Sequence, residues 1–176
     1  MSNILFSSDH HFFHKNIILF CNRGFSSVEE MNEILIQNWN NTVKPNDEVY
    51  YLGDFAFCQP DNACKILKSL NGKKYLIEGN HDRRLLKDSN FRSCFEWIDK
   101  LAGIEIYKQN IVLCHYPMKR WDQSHRGAWH LFGHEHGKLP DDPYSLSIDV
   151  GVDAHKYTPI SFEQVKELME EKRVWE

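Results

Sequence analysis

Ten histidines fall among the 176 residues, and their spacing is where chemistry first shows. His10, His11 and His14 crowd behind Asp9, His134 and His136 flank Glu135, and His81 and His115 stand singly. Five segments that read as strands each run out into a residue able to hold a metal: Asp9 with His11, Asp54, Asn80 with His81 beside it, His115, and His134 with His136. In an open α/β sheet the strand ends converge on one crevice, where ligands bind. Asp9 and His11 are two apart, as are His134 and His136, and in extended backbone such pairs point to one side. Seven oxygen and nitrogen donors around one crevice exceed what a tetrahedral zinc takes. They suit two cations about 3.5–4 Å apart that share a carboxylate and clamp a phosphate. Singly, each piece has an ordinary reading. D-x-H is common, Gly53-Asp54 is turn chemistry, His115 could be a hydrogen-bonded core histidine, and Gly133-His134-Glu135-His136 a surface loop. Their joint occurrence, in order and each at a strand end, defeats those readings.

The elements that must carry these residues follow from hydrophobic periodicity. Residues 3–7 read as a short buried strand, 49–52 as a second ending at Gly53-Asp54, and 75–77 as a third ending in Gly79-Asn80-His81-Asp82. Between them, Ser27-Val28-Glu29-Glu30 has the form of a capping box, and Val28, Met31, Leu35 and Trp39 recur at helical spacing until Lys44-Pro45. A second helix over 61–70 turns Ala63, Ile66, Leu67 and Leu70 inward and stops at Asn71-Gly72. Further strands are expected at 104–107, 111–114, 129–132 and 146–150, with Lys108-Gln109-Asn110 as a hairpin turn. Ser161-Phe162-Glu163-Gln164 opens a last helix. The first half is β-α-β-α-β, which favours parallel strands with right-handed crossovers, and the second half reads as largely antiparallel. Lys73-Lys74 before the third strand reads as protection of a sheet edge.

Composition bounds the partners. The chain carries 21 Lys and Arg against 25 Asp and Glu, a net of −4. That balance excludes a protein living on non-specific attraction to nucleic acid or anionic lipid. With 41% apolar and 13% aromatic residues the chain is globular, and its length predicts a single domain over 1–176. No signal-peptide pattern opens the sequence, and the longest strictly apolar run, 17–21, is far too short for a membrane span. Cys21, Cys58, Cys64, Cys94 and Cys114 are odd in number and never form C-x-x-C. Free thiols in a reducing cytoplasm are therefore expected. The first-half helices show no exposed heptad seam, so no oligomeric state is implied.

Together Asp9-His10-His11, Gly53-Asp54, Gly79-Asn80-His81-Asp82, His115 and Gly133-His134-Glu135-His136 resemble the calcineurin-like metallophosphoesterase superfamily, over about residues 4–153. Glu135 stands where many members carry Thr or another small or apolar residue. The resemblance implies a four-layer α/β/β/α sandwich with two packed mixed sheets. It implies one metal on Asp9, His11, Asp54 and His136 and another on Asp54, Asn80, His115 and His134, with Asp54 bridging. It also implies hydrolysis of a phosphodiester or phosphomonoester through a metal-bridging hydroxide; His81 is expected to protonate the leaving group or to stabilise the transition state, with Asp82 fixing its orientation. Charge arithmetic agrees: two divalent ions, two carboxylates and a hydroxide leave one positive charge to hold a phosphate. The neutral Asn80 preserves that surplus. Mn²⁺ is the first expectation, with Fe²⁺ or Zn²⁺ as alternatives.

Substrate residues are less sharply marked. His14, Arg23, Arg84, Trp121 and His125 are candidates for holding further phosphates or a base, alongside Arg83, Lys119, Arg120 and Arg126, although most such groups are solvated surface charges. His10 and His130 are candidates for pocket lining, and His155 has no assigned task. A small, nucleotide-like phosphate ester is expected. The net charge and the want of a second domain count against an extended nucleic acid, leaving a nuclease acting on strand ends as the alternative. A non-catalytic module on the same fold would be expected to have lost ligands or His81, and neither is missing.

Overall fold

The computed structural model describes residues 2–172. Four parallel strands build the first sheet: β1 (Ile4–Ser7), β2 (Glu48–Tyr51), β3 (Lys73–Ile77) and β4 (Ile98–Asp99), with β9 (Ile160–Ser161) antiparallel beside β1. The second sheet has the order β5 (Leu101–Ile106), β6 (Gln109–Cys114), β7 (Trp129–Phe132) and β8 (Ser147–Asp149).

Alternation along each strand divides two cores. Leu5, Val49 and Leu76 face the helices α2 (Val28–Thr42) and α3 (Pro60–Ser69), burying Met31, Leu35, Trp39, Ala63 and Leu67. Phe6, Leu52 and Ile77 face the second sheet and meet Ile111, Leu113, Leu131 and Ile148. The helix α5 (Phe162–Glu170) contributes Phe162, Val165 and Met169 to that inter-sheet core. On the first sheet Phe6, Tyr50 and Tyr75 lie in register across three strands, their rings 5.8 and 4.8 Å apart, an aromatic ladder that fixes the pairing. The outer face of the second sheet is covered by residues 116–128, where Trp121 packs on His130. The fold is thus α/β with two packed mixed sheets.

The helices start and stop as their sequences dictate. The Ser27 hydroxyl accepts the Glu30 N–H, but the Glu30 carboxylate turns back to Ser26 instead of closing the box on Ser27. At α5 the box is complete: Ser161 and Gln164 each accept from the other's backbone.

Three expectations are corrected here. Only β5 and β6 pair antiparallel in the second sheet; β6, β7 and β8 are parallel. The loops 115–128 and 133–146 are long enough to carry the chain back across the sheet, which a tight turn is not. The hairpin turns at Tyr107 and Lys108, both left-handed at φ of 50° and 69°, so Gln109 and Asn110 belong to the strand and bond residues 127 and 123. Lys74 is no edge guard. Its strand lies between β2 and β4, and its buried ammonium donates to the carbonyls of Leu70 and Gly72 where α3 ends. The two-residue strands β4 and β9 and the short helices α1 (Ile17–Phe20) and α4 (Ser89–Arg92) carry too few residues to show a period.

Asp47 ties the start of β1 to the turn before β2, accepting the N–H groups of Asn3 (2.7 Å) and Lys44 (2.9 Å). Burial acts to raise its pKa, but these donors outweigh burial and hold it below the ordinary value. A depressed carboxylate stabilises the fold above its unfolded pKa and loses that contribution as pH falls through the folded value. Asp47→Asn should therefore cost about 1–3 kcal/mol at pH 7, and urea titrations should show the gap from wild type closing below about pH 4.

Candidate metal centre

Every predicted ligand lies just past the C-terminal end of a strand: Asp9 and His11 after β1, Asp54 after β2, Asn80 after β3, His115 after β6, His134 and His136 after β7. The paired ligands do not reach one side through extended backbone, as spacing alone suggests. Asp9, His11, Asp54, His134 and His136 all have left-handed backbone, with φ of 60°, 52°, 60°, 71° and 52°. Leaving a buried strand, the chain must fold back at once for its side chains to return to the seam between the sheets. This conformation costs on the order of 1 kcal/mol per non-glycine residue and persists where the surroundings enforce it. Two glycines allow the approach. A Cβ on Gly79 would overlap Asp54 Oδ1, and one on Gly133 would overlap Asp9 Oδ2 and Ser8 Oγ. The glycines of G-N-H-D and G-H-x-H are there so that backbone can lie against a carboxylate.

Two groups of donor atoms result. Asp9, His11 and His136 form one, Asp54, His115 and His134 the other, and the donor atoms of each group lie within 4.8 Å of one another. Asp54 Oδ2 stands between them, 3.6 Å from His11 Nε2 and 3.5 Å from His115 Nε2. The Asn80 carbonyl oxygen lies 3.0 Å from His115 Nε2. A third grouping, Cys21 with His136 and Asp153, includes two side chains already bonded to each other, His136 and Asp153.

Two of the imidazoles and both carboxylates are aimed by a bond on their other side. His115 Nδ1 lies 2.7 Å from the Leu52 carbonyl, which can only accept, so Nδ1 carries the proton and Nε2 faces inward. His136 Nδ1 lies 2.7 Å from Asp153 Oδ2, with the same consequence. Asp9 Oδ2 accepts from the Ser8 hydroxyl (2.5 Å) and the His134 N–H (2.9 Å), and Asp54 Oδ1 accepts the His81 N–H (2.8 Å). Such outer bonds fix the tautomer and orientation of metal ligands. Arg23 anchors the arrangement. It forks onto Asp153 at 2.8 and 2.7 Å and donates to the carbonyls of Asp9 (2.7 Å) and His10 (2.8 Å).

The inward atoms have nothing to bond. Asp9 Oδ1 and both ring nitrogens of His11 are buried without a hydrogen-bond partner, and orphaned buried polar atoms cost about 1–3 kcal/mol each. Lone pairs of Asn80, Asp54 and His115 converge with no hydrogen between them unless His115 takes a second proton. The field of the site draws positive charge in that way. Burial opposes charge on His115 and His136, yet Asp54 and Asp9 push the first up to about 9, and chiefly Asp153 pushes the second up to about 10. Burial raises Asp9 to about 7 despite these neighbours, while it lowers His11. Unpaired lone pairs on carboxylate, amide and imidazole, in a negative field, fit divalent cations of borderline hardness.

The sequence model of calcineurin-like phosphoesterases matches residues 2–138. The chain belongs to that family. It is similar to an uncharacterized protein of Methanocaldococcus jannaschii, 36% identical over 181 residues, 99% of this chain and 95% of that protein. It is also similar to the Gene 66 protein of Mycobacterium phage L5, 27% identical over 88% of each. Among solved structures, a protein of unknown function from Aquifex aeolicus superposes with a TM-score of 0.72 at 26% identity, over 96% of this chain and all of that one. As a calcineurin-like phosphoesterase the protein is a metal-dependent phosphoric ester hydrolase, and the non-catalytic alternative falls away. No helix among the described residues is long and apolar enough to cross a membrane.

The other site expectations divide. His81 reaches the phosphoesterase centre, its Nε2 3.9 Å from Asp54 Oδ2 and its side chain 43% exposed. His14 also stands at the rim, its ring stacked 3.9 Å from Phe57, which in turn lies 4.7 Å from His81. Arg23 is corrected: it is buried and spent on Asp153 and two carbonyls, so it positions ligands and cannot meet substrate. Asp82 is corrected too. It does not touch the His81 ring; fully buried, it accepts the N–H groups of Gly79 (2.9 Å), Asp54 (2.8 Å) and Phe55 (2.9 Å). Trp121 gives its indole N–H to the Ala128 carbonyl and packs on His130, so it belongs to the outer cover of the second sheet. His125 is exposed on the 3-10 turn Ser124–Arg126, and Arg84 lies toward Cys58, so neither joins the cluster. His10 is core, its ring 5.2 to 5.4 Å from those of Phe12, Trp39 and Tyr51. His130 is likewise buried, its Nδ1 on the Val112 carbonyl and its Nε2 accepting the Met118 N–H. Sequence reasoning passed over Asp153 and Phe57; an Asp three residues beyond the last long strand and a Phe three beyond Asp54 carry no motif.

Asp82 thus clamps the loops of Asp54 and Asn80 together. Asp82→Asn leaves one backbone N–H facing an amide N–H. It should cost about 2–3 kcal/mol of stability and, at temperatures where the variant is folded, lower bound metal per chain as read by mass spectrometry. Unchanged metal content in a folded variant would show a structural role alone.

Proposed function

We propose that this phosphoesterase works with two divalent cations, one held by Asp9, His11, Asp54 and His136 and the other by Asp54, Asn80, His115 and His134. The observation that carries this reading is the position of Asp54 Oδ2, within 3.6 Å of an imidazole nitrogen from each group, where one oxygen can serve both. Mn²⁺ is the proposed occupant, with Fe²⁺ or Zn²⁺ as alternatives on the same mixed ligands. When bound, such ions acidify water and offset charge gathering on the phosphoryl oxygens.

The chain's own residues do the rest. Asp9 and Asp54 are held so that one oxygen of each is committed to the protein and the other to the site. His81 is the one imidazole of the centre with a largely open face. Its N–H bond to Asp54 Oδ1 fixes its backbone, and the rings of His11 (5.6 Å) and Phe57 (4.7 Å) flank its side chain. From there it delivers a proton to the departing oxygen of a phosphodiester or phosphomonoester. Tyr116, with its ring 4.7 Å from that of His134, and Phe57 offer aromatic surface on two sides of the centre, which supports a small, nucleotide-like substrate. The free state of all five cysteines supports a reducing, cytoplasmic setting.

Hydrolysis of bis(p-nitrophenyl) phosphate and p-nitrophenyl phosphate should vanish on chelation and return with Mn²⁺. His81→Ala should keep two metals per chain by elemental analysis. It should lose about 10²- to 10⁴-fold in kcat on alkyl esters, whose leaving groups need a proton, and less on p-nitrophenyl esters. Equal losses on both would remove His81 from the proton transfer, and one tightly held ion without turnover would overturn the two-metal reading.

A further inference from the structure

Beyond Asn80 the surface continues as a groove. A cavity of about 180 Å³ is lined by Glu78, Gly79, Asn80, Arg83, Lys100 and Tyr116, so it opens directly from the metal centre. Through the shared Glu78, Arg83 and Lys100 it runs into a second cavity of about 510 Å³, which adds Lys87, Arg92 and Asp99. Four cations face two carboxylates there, in a chain whose overall charge is −4. The cations are barely compensated. Lys100 Nζ is 4.0 Å from Glu78 at an 81% exposed position, and Asp99 Oδ1 is occupied by the N–H of Lys100. Among the described residues the side chains of Arg83, Lys87 and Arg92 make neither ion pair nor hydrogen bond. Guanidinium groups recognise phosphate through paired N–H donors.

We propose that this groove is a subsite for a second phosphate, joined to the scissile phosphoester, with Arg83 and Lys100 as its inner cations and Lys87 and Arg92 as its outer ones. The inference rests on the phosphoesterase reading above and narrows it: the substrate is multiply phosphorylated. The same chemistry is offered by a small nucleotide bearing an additional phosphate and by the next linkages of a nucleic-acid strand. An excess of two positive charges suits one or two phosphates and is too small to hold a long duplex.

The test uses the full chain loaded with Mn²⁺ and four substrates: bis(p-nitrophenyl) phosphate, thymidine 5′-(p-nitrophenyl phosphate), its 3′-phosphorylated form, and hexathymidylate. Arg83→Ser with Lys100→Ser should lower kcat/KM about 10- to 100-fold on the 3′-phosphorylated probe or hexathymidylate at low ionic strength. It should stay within about twofold on the two single-phosphate esters, and on hexathymidylate the salt dependence should become shallower by roughly 0.7 in log–log slope for each cation removed. Lys87→Ser with Arg92→Ser separates the sources: loss on hexathymidylate identifies a strand, and loss confined to the inner pair identifies a small nucleotide. Equal loss on the single-phosphate esters, or no loss on any probe, overturns the subsite while the phosphoesterase reading stands. Failure of the wild type on bis(p-nitrophenyl) phosphate with Mn²⁺, Fe²⁺ or Zn²⁺ takes down both.

Discussion

Two carboxylates buried at the seam between the sheets set the terms for the rest of the molecule. Asp9 is fully buried and Asp54 1% exposed, and among the described residues neither has a fixed cationic side chain to balance it. A charge in such a place is tolerated only if it is paired or fully hydrogen-bonded. The chain satisfies one oxygen of each internally, through the Ser8 hydroxyl and the N–H groups of His134 and His81. The other oxygens point to the same small volume as the imidazoles. Five left-handed ligand residues and two glycines that cannot carry a side chain follow from this requirement, because strand ends must fold back onto the carboxylates at close range.

The supporting residues are arranged around that volume in a second layer whose charges do close. Arg23 and Asp153 pair at 2.7 Å in nearly complete burial, and the same guanidinium donates to the carbonyls of Asp9 and His10. The fork geometry matters here. Lysine could match the charge but not span a carboxylate and two carbonyls from one planar group. Asp153 passes the constraint on to His136, as the Leu52 carbonyl does to His115. Asp82 performs the corresponding task with backbone alone, holding the loops of Asp54 and Asn80 with three N–H bonds. Removal of any one partner leaves a buried acceptor or donor unmet, which costs more than the bond itself contributes.

What was legible in the sequence was whatever is local or repeats with a period. Strand ends, the two main helices, the α5 capping box and the convergence of the seven candidate ligands could be read because each rests on side-chain alternation or a short motif. Asp153 could not, since its value lies in Arg23, 130 residues earlier. The role of Asp82 was misread for a related reason: adjacency to His81 suggested a side-chain partner, whereas the tight turn points its carboxylate inward to backbone N–H groups. Arg23 and Trp121 looked like substrate-binding groups because sequence shows residue type but not burial. The parallel order of β6, β7 and β8 was hidden by long connections, which pattern cannot assign to a direction. In the segment after His81, sequence offered Arg83 and Arg84 alike, and the turn sends Arg83 into the groove beside Asn80.

This division of labour also explains how the centre can be ready before a cation arrives. In small metal domains the ligands come together only when the ion does, and its binding energy is spent on folding. Here His115, His136, Asp9 and Asp54 are already oriented by a bond to protein on the far side, and the loops are held by the bridges Ser8 to Gly151 and Phe12 to Ala56. The two cores, with Trp39, Phe55 and Phe91 among the largest fully buried side chains, include none of the candidate ligands. Local strain at five ligands, on the order of 1 kcal/mol each, is carried by that packing. What a cation would meet is a set of lone pairs of which those of Asp9, Asp54, His115 and His136 are already held in place. Under the two-cation proposal its binding energy would go into neutralising Asp9 and Asp54, and Asn80, a neutral donor where a third carboxylate could have stood, would leave a positive surplus available to a phosphate.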